Sequence, residues 1–155
     1  MSPAGRRLAA LGGVVGPVGF VAAWAVGGAA AHGYSPIDDA ISRLAAVDAS
    51  TRGLMTAGFV TFGVGVPLYG LALRDRITGP AWASAVATGL ATLGVAALPL
   101  DRSPASDLAH GACASVGDAT LAAVPLLAAG PLRRQGTRRA AAVTLAAGAV
   151  SGACL

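Results

Sequence analysis

Leu8 to Ala31 is a run of 24 residues without a single charge. A helix needs about 20 apolar residues to cross the hydrocarbon core of a bilayer. Inside water, a backbone segment of that length and composition has too little polar side to form the outer layer of a small domain. The run is also longer than the apolar core of a typical secretory signal, and further runs of its kind follow, which favours a retained helix. Leu54–Leu73 and Ala81–Leu100 are each 20 residues without charge. Leu108–Leu132 is mostly apolar, and Ala140–Leu155 adds a final stretch of 16. The pattern predicts an all-α integral membrane helical bundle in one transmembrane domain, residues 1–155. About five spans are expected, near 8–31, 54–73, 81–100, 108–132 and 140–155, the last short or truncated.

Composition agrees with that reading. The chain is 55% hydrophobic and 12% charged over 155 residues, where soluble domains carry about 25% charged residues. Gly occurs 22 times, and small residues let membrane helices approach closely. Gly12 and Gly16 form a Gly-x-x-x-Gly pair in the first run. The two cysteines, Cys113 and Cys154, lie in apolar stretches and read as packing residues rather than a disulfide.

Charge orients the chain. Arg6, Arg7, Arg74, Arg76, Arg133, Arg134, Arg138 and Arg139 fall on one side of the alternating spans, and only Arg43, Arg52 and Arg102 on the other. The positive-inside rule puts the N-terminus in the cytoplasm. All 11 basic residues are Arg and none is Lys, which matches a GC-rich bacterial coding bias, so a bacterial plasma membrane is the expected location. The net charge of +4 is therefore a topological signal. With no aromatic-rich basic patch, it does not indicate a nucleic-acid partner. No glycine-rich phosphate loop is present either.

The densest polar stretch is Tyr34-Ser35-Pro36-Ile37-Asp38-Asp39-Ala40-Ile41-Ser42-Arg43-Leu44. Ser35 suits an N-cap, Pro36 the first helical position and Asp38 the first turn. Ile37, Ile41 and Leu44 share a helical face. A short interfacial helix over 35–44 is expected, resting in the headgroups or forming a wall over a polar site.

The fourth span carries the chemistry. Asp107, His110 and Asp118 fall on one side of a helix, with Ala114 and Gly117 between them. An acid near mid-bilayer costs at least about 2.5–3.5 kcal/mol on insertion scales, so Asp118 is expected to face inward, be partnered or be protonated. His110, Asp101 and Asp107 share a depth near the outer face. They are the candidate metal ligands, since zinc accepts both residue types, and His110 with a carboxylate is also a candidate acid–base pair. Ser42 or Ser35 is the candidate nucleophile beside His110. Asp118, His110, Asp101 and Ser42 are thus the candidate catalytic set, with no cofactor specified.

Several of these residues occur in a recognisable arrangement. Tyr34-Ser35-Pro36, Ile41-Ser42-Arg43-Leu44, Met55-Thr56-Ala57-Gly58-Phe59, and Pro99-Leu100-Asp101 followed by Asp107-Leu108-Ala109-His110-Gly111 resemble the bacterial membrane family catalogued as domain of unknown function 998. The resemblance covers nearly the whole chain. It implies about six spans, of which five are visible, and no established activity. It points to Ser42, Asp101 and His110 as the polar positions to test, and Asp118 lies outside its pattern. Two functions are compatible with these residues. One is a helical bundle that binds a lipid, an isoprenoid-like ligand, a partner or further copies of itself. The other is an integral-membrane enzyme acting on such a lipid through Asp and His, with Ser or a metal.

Overall fold

The computed structural model describes residues 1–153. Five α-helices follow one another: α1 (Pro3–Ala30), α2 (Arg52–Arg74), α3 (Ala81–Ala97), α4 (Pro104–Arg134) and α5 (Arg138–Ala153). A 3-10 turn, Ile41–Ala45, lies between α1 and α2. The all-α expectation holds. α1, α2 and α4 are long and apolar enough to cross a membrane, and α3 is a shorter apolar helix. The helices pack in chain order, each on the next. The expected last span ends at 155, and residues 154–155, including Cys154, lie outside the described residues.

Small residues set the helix spacing. Gly12 and Gly16 of α1 both face Gly65 of α2. A Cβ on Gly65 would stand 2.7 Å from the Gly12 carbonyl oxygen and 3.0 Å from Gly16 Cα. The Gly-x-x-x-Gly pair is thus a helix contact, as small residues permit. On the other side of α2, the Pro67 ring occupies the space left by Gly89 of α3. α3 and α4 are joined by hydroxyls: Ser84 Oγ donates to the Thr120 carbonyl at 2.7 Å, and Thr88 Oγ1 lies 2.9 Å from Thr120 Oγ1.

The two ends differ. At one, the start of α1 meets the α2–α3 turn through Arg6 and Asp75, 3.8 Å apart. The α4–α5 turn joins them, with Gln135 Nε2 donating to the Arg76 carbonyl at 2.9 Å. The eight arginines counted on one side of the spans lie in these segments. At the other end, residues 31–51 pack on the α3–α4 loop. Val47 N–H donates to the Leu100 carbonyl at 3.1 Å, and Arg43 Nη1 to Asp101 Oδ2 at 2.8 Å.

Two local expectations change. The third apolar run ends as a helix at Ala97 and not at Leu100. Pro99 is the reason: its ring disfavours the helical region for the preceding residue, and Leu98 sits at φ −117°, ψ 72°. The stretch 35–44 does not form one helix. Ser35 caps a single turn as its sequence suggests, accepting from Asp38 N–H at 3.2 Å, while Asp39 Oδ2 accepts from Ser35 N–H at 2.8 Å. The chain then extends at Ala40 (φ −64°, ψ 141°) and restarts as the 3-10 turn. Continuing the helix would have kept Ile37 on the face of Leu44. With the break, Leu44 is 2% exposed against Ala23, Met55 and Phe59, and Ile37 is 92% exposed. Core burial of Leu44 outweighs helix continuation, since a short helix gains little on its own.

Candidate functional site

The end of α3 creates the site. Because Pro99 stops the helix, the Leu98 carbonyl has no helical N–H to accept from. His110 fills that role from α4: its Nδ1 lies 2.6 Å from Leu98 O. A carbonyl only accepts, so Nδ1 carries the hydrogen. In the neutral ring Nε2 then holds a lone pair. The ring is 4% exposed, and Nε2 is buried without a hydrogen-bond partner. Buried polar atoms are satisfied in the great majority of cases, and an orphan of this kind asks for an explanation.

His110 lies six residues beyond Pro104, roughly 9 Å into the helix at 1.5 Å per residue. The helix start is firmly set. Ser103 Oγ accepts from Ser106 N–H at 3.2 Å, and Ser106 Oγ donates to the Pro99 carbonyl at 3.2 Å. The turn that presents His110 is thereby tied to the loop that presents Leu98.

His110 lines a cavity of about 370 Å³. Cys113, Ala114, Gly117, Asp118 and Leu121 continue its stripe along α4 at three- and four-residue spacing. Thr88, Thr92 and Val95 of α3 form the facing wall at the same spacing. Their hydroxyls are committed to the helix backbone, Thr92 donating to the Thr88 carbonyl at 2.9 Å. An aromatic group closes the apolar side: Phe20 of α1 stands against Phe59 and Phe62 of α2, with centroids 5.5 and 5.4 Å away. Ala40, Ile41 and Ser42, from the segment between α1 and α2, complete the lining.

Ser42, His110 and Asp118 of the four catalytic candidates all line this cavity, and no hydrogen bond among the described residues joins any two of them. Asp118 is exposed along the open side of the cavity, and the two ion pairs formed among the described residues do not include it. At 1.5 Å per residue it sits about 12 Å beyond His110 along α4. Those two groups therefore mark two levels of the cavity and not one acid–base pair. Asp101 stands apart, paired with Arg43 at 2.8 Å. Its backbone is in the left-handed region at φ 65°, and its N–H donates to Asp107 Oδ1 at 3.0 Å. Both proposed carboxylate ligands thus shape the α3–α4 loop. Among the described residues no three His, Cys, Asp or Glu side chains form a group able to hold a metal ion.

Sequence reasoning missed the hydrophobic half of the site. The three phenylalanines come from two helices, and no spacing along the chain relates Phe20 to Phe59. Cys113 did carry a signal, three residues after His110 on the same face. Its sulfur also packs on Gly94, where a Cβ would meet Sγ at 2.7 Å, so the packing role and the cavity position coexist.

These features define an all-α protein of membrane-length apolar helices, with a largely apolar cavity near one end and, among its lining residues, a histidine whose buried Nε2 has no hydrogen-bond partner. The chain belongs to the family described as "Protein of unknown function (DUF998)", which matches residues 14–155. No curated protein and no solved structure matches it.

Proposed function

We propose that the protein is a multi-pass protein of the bacterial inner membrane, N-terminus in the cytoplasm, that binds one lipid-like molecule in the α1–α4 cavity. The observation that carries this is His110 Nε2, a buried acceptor without a partner beside an aromatic and aliphatic wall. The ligand is amphipathic. A hydroxyl or amine at its polar end donates to Nε2, and Ser42 adds a second polar contact. Its chain lies along Phe20, Phe59, Phe62 and Leu121. The volume falls within the range of about 300–1,000 Å³ usual for small-molecule sites, enough for a headgroup and the first part of a chain. The rest of the chain leaves by the open side past Asp118. The arginine-rich end faces the cytoplasm under the positive-inside rule, which places the cavity toward the outer leaflet.

Native mass spectrometry of the nanodisc-purified protein tests this, comparing wild type with His110→Asn. Asn places an N–H near the position of Nδ1 and has nothing at Nε2. The wild type is expected to hold one lipid-mass adduct, and His110→Asn to lose it while remaining folded. A bare wild type, or an adduct equally held by His110→Asn, overturns the reading.

The fixed tautomer also favours a second reading, an enzyme in which Nε2 takes a proton from the Ser42 hydroxyl or from a water. In that case Ser42→Ala or His110→Asn retains a bound lipid that the wild type converts, and the adduct masses differ between them.

A further inference from the structure

At the opposite end of the helices, α1 and α2 form a second recess, about 250 Å³ in volume. Arg6, Arg7 and Ala10 line it from α1, Tyr69 and Leu73 from the end of α2, and Arg76 from the α2–α3 turn. Ala10 lies three and four residues after Arg7 and Arg6 on α1, and Leu73 lies four residues after Tyr69 on α2. Three arginines thus line one recess. The Arg6 Nε is buried and without a partner. Asp75, the one carboxylate near it, stands 3.8 Å from Arg6 Nη1, beyond hydrogen-bond length. Arg7 and Arg76 take part in neither ion pair formed among the described residues. α1 begins here and α2 ends here, so their dipoles oppose one another, and the positive field comes from the side chains.

We propose that this recess binds a phosphate group, independently of the cavity at the other end. Three cations against the one carboxylate paired with Arg6 leave a local excess of about two positive charges, which matches a phosphomonoester or, with one to spare, a phosphodiester. A carboxylate presents two oxygens in a plane, and a single guanidinium fork satisfies it. Donors arriving from α1 and from the α2–α3 turn, with Tyr69 also lining the recess, suit a tetrahedral anion. Ala10 and Leu73 adjoin the basic groups, so an anionic lipid whose headgroup sits among the arginines has an apolar surface for its glycerol and first methylenes. The groove of Arg133, Arg134 and Arg138 between α4 and α5 is equally basic but has no buried unpartnered nitrogen, which makes it the internal control.

The test uses the full chain in a neutral maltoside detergent at fixed ionic strength. Thermal unfolding is followed during titration with phosphatidylglycerol, phosphatidylcholine or inorganic phosphate. Phosphatidylglycerol is expected to stabilise the protein more than phosphatidylcholine. Its apparent Kd is expected to rise about tenfold in Arg6→Gln or Arg76→Gln, the value of one charge-assisted hydrogen bond, and to stay unchanged in Arg134→Gln. Stabilisation by inorganic phosphate with the same variant pattern identifies a free phosphate as the ligand, and stabilisation by the lipid alone identifies a headgroup. Arg76 is exposed in the α2–α3 turn, so its variant carries the test even where Arg6→Gln does not fold. Equal effects of the two lipids, no effect of either anion, or equal weakening in Arg134→Gln overturns the proposal.

Discussion

His110 Nδ1 and the Leu98 carbonyl oxygen, 2.6 Å apart, close the gap between the end of α3 and the start of α4. The bond does two things. It satisfies the carbonyl that Pro99 strands, and it fixes which ring nitrogen is free. These roles separate by substitution. His110→Asn keeps a donor for Leu98 and is expected to cost under about 1 kcal/mol. His110→Leu leaves a buried carbonyl unsatisfied and is expected to cost about 1–3 kcal/mol. Thermal unfolding in one detergent, wild type beside both variants, checks the order. Equal destabilisation by the two would mean that the Leu98 bond contributes nothing.

Helix contact through glycine makes a second, sharper comparison. A Cβ on Gly65 meets backbone of α1, at Gly12 O and Gly16 Cα. Backbone cannot rotate away as a side chain can, so α1 and α2 must part. Overpacking of this kind costs about 1–3 kcal/mol, and Gly65→Ala is expected to lower the melting temperature by several degrees. Gly111 is helical too, but nothing stands within 4 Å of its added Cβ. Gly111→Ala is expected to be neutral or stabilising by up to about 1 kcal/mol, since Gly is the poorer helix former. If both variants unfold alike, close approach at Gly65 is not what joins the two helices.

The long apolar runs made the helices legible, because a period and a length survive without tertiary context. Helix ends were legible only where a local rule decides them. The Ser35 cap followed from its neighbours, but the helix it begins stops after one turn, because burial of Leu44 against α1, α2 and α3 depends on residues far along the chain. The third span was read three residues too long, although Pro99 carried the signal. Of the site, the His110–Asp118 stripe was readable as helical spacing on α4. The contribution of Ser42 was readable only as a polar residue near the same face. Asp101 and Asp107 shared a depth with His110, and depth alone could not show that Arg43 and a loop N–H occupy them. The cavity itself, assembled from four helices and a turn, has no counterpart in any one stretch.

The clasp between Arg43 and Asp101 gives the last comparison. Both side chains are about half exposed, 53% and 51%, and exposed pairs are worth about 0.2–1 kcal/mol. A double-mutant cycle of Arg43→Ala and Asp101→Asn is expected to return a coupling in that range. Asp101→Ala is expected to cost more than Asp101→Asn, because position 101 sits at φ 65°. Asn tolerates the left-handed region, whereas Ala pays about 1–2 kcal/mol there. That difference is expected to persist when Arg43 is already Ala, because it belongs to the backbone and not to the ion pair. Arg43 also follows Ser42 directly, so the clasp holds the 40–42 segment that completes the cavity lining. If a lipid occupies that cavity, Arg43→Ala is expected to speed its exchange, measured by transfer of a fluorescent lipid from protein to empty vesicles. An unchanged exchange rate, with the coupling energy as stated, would make the clasp a stabiliser of the loop alone.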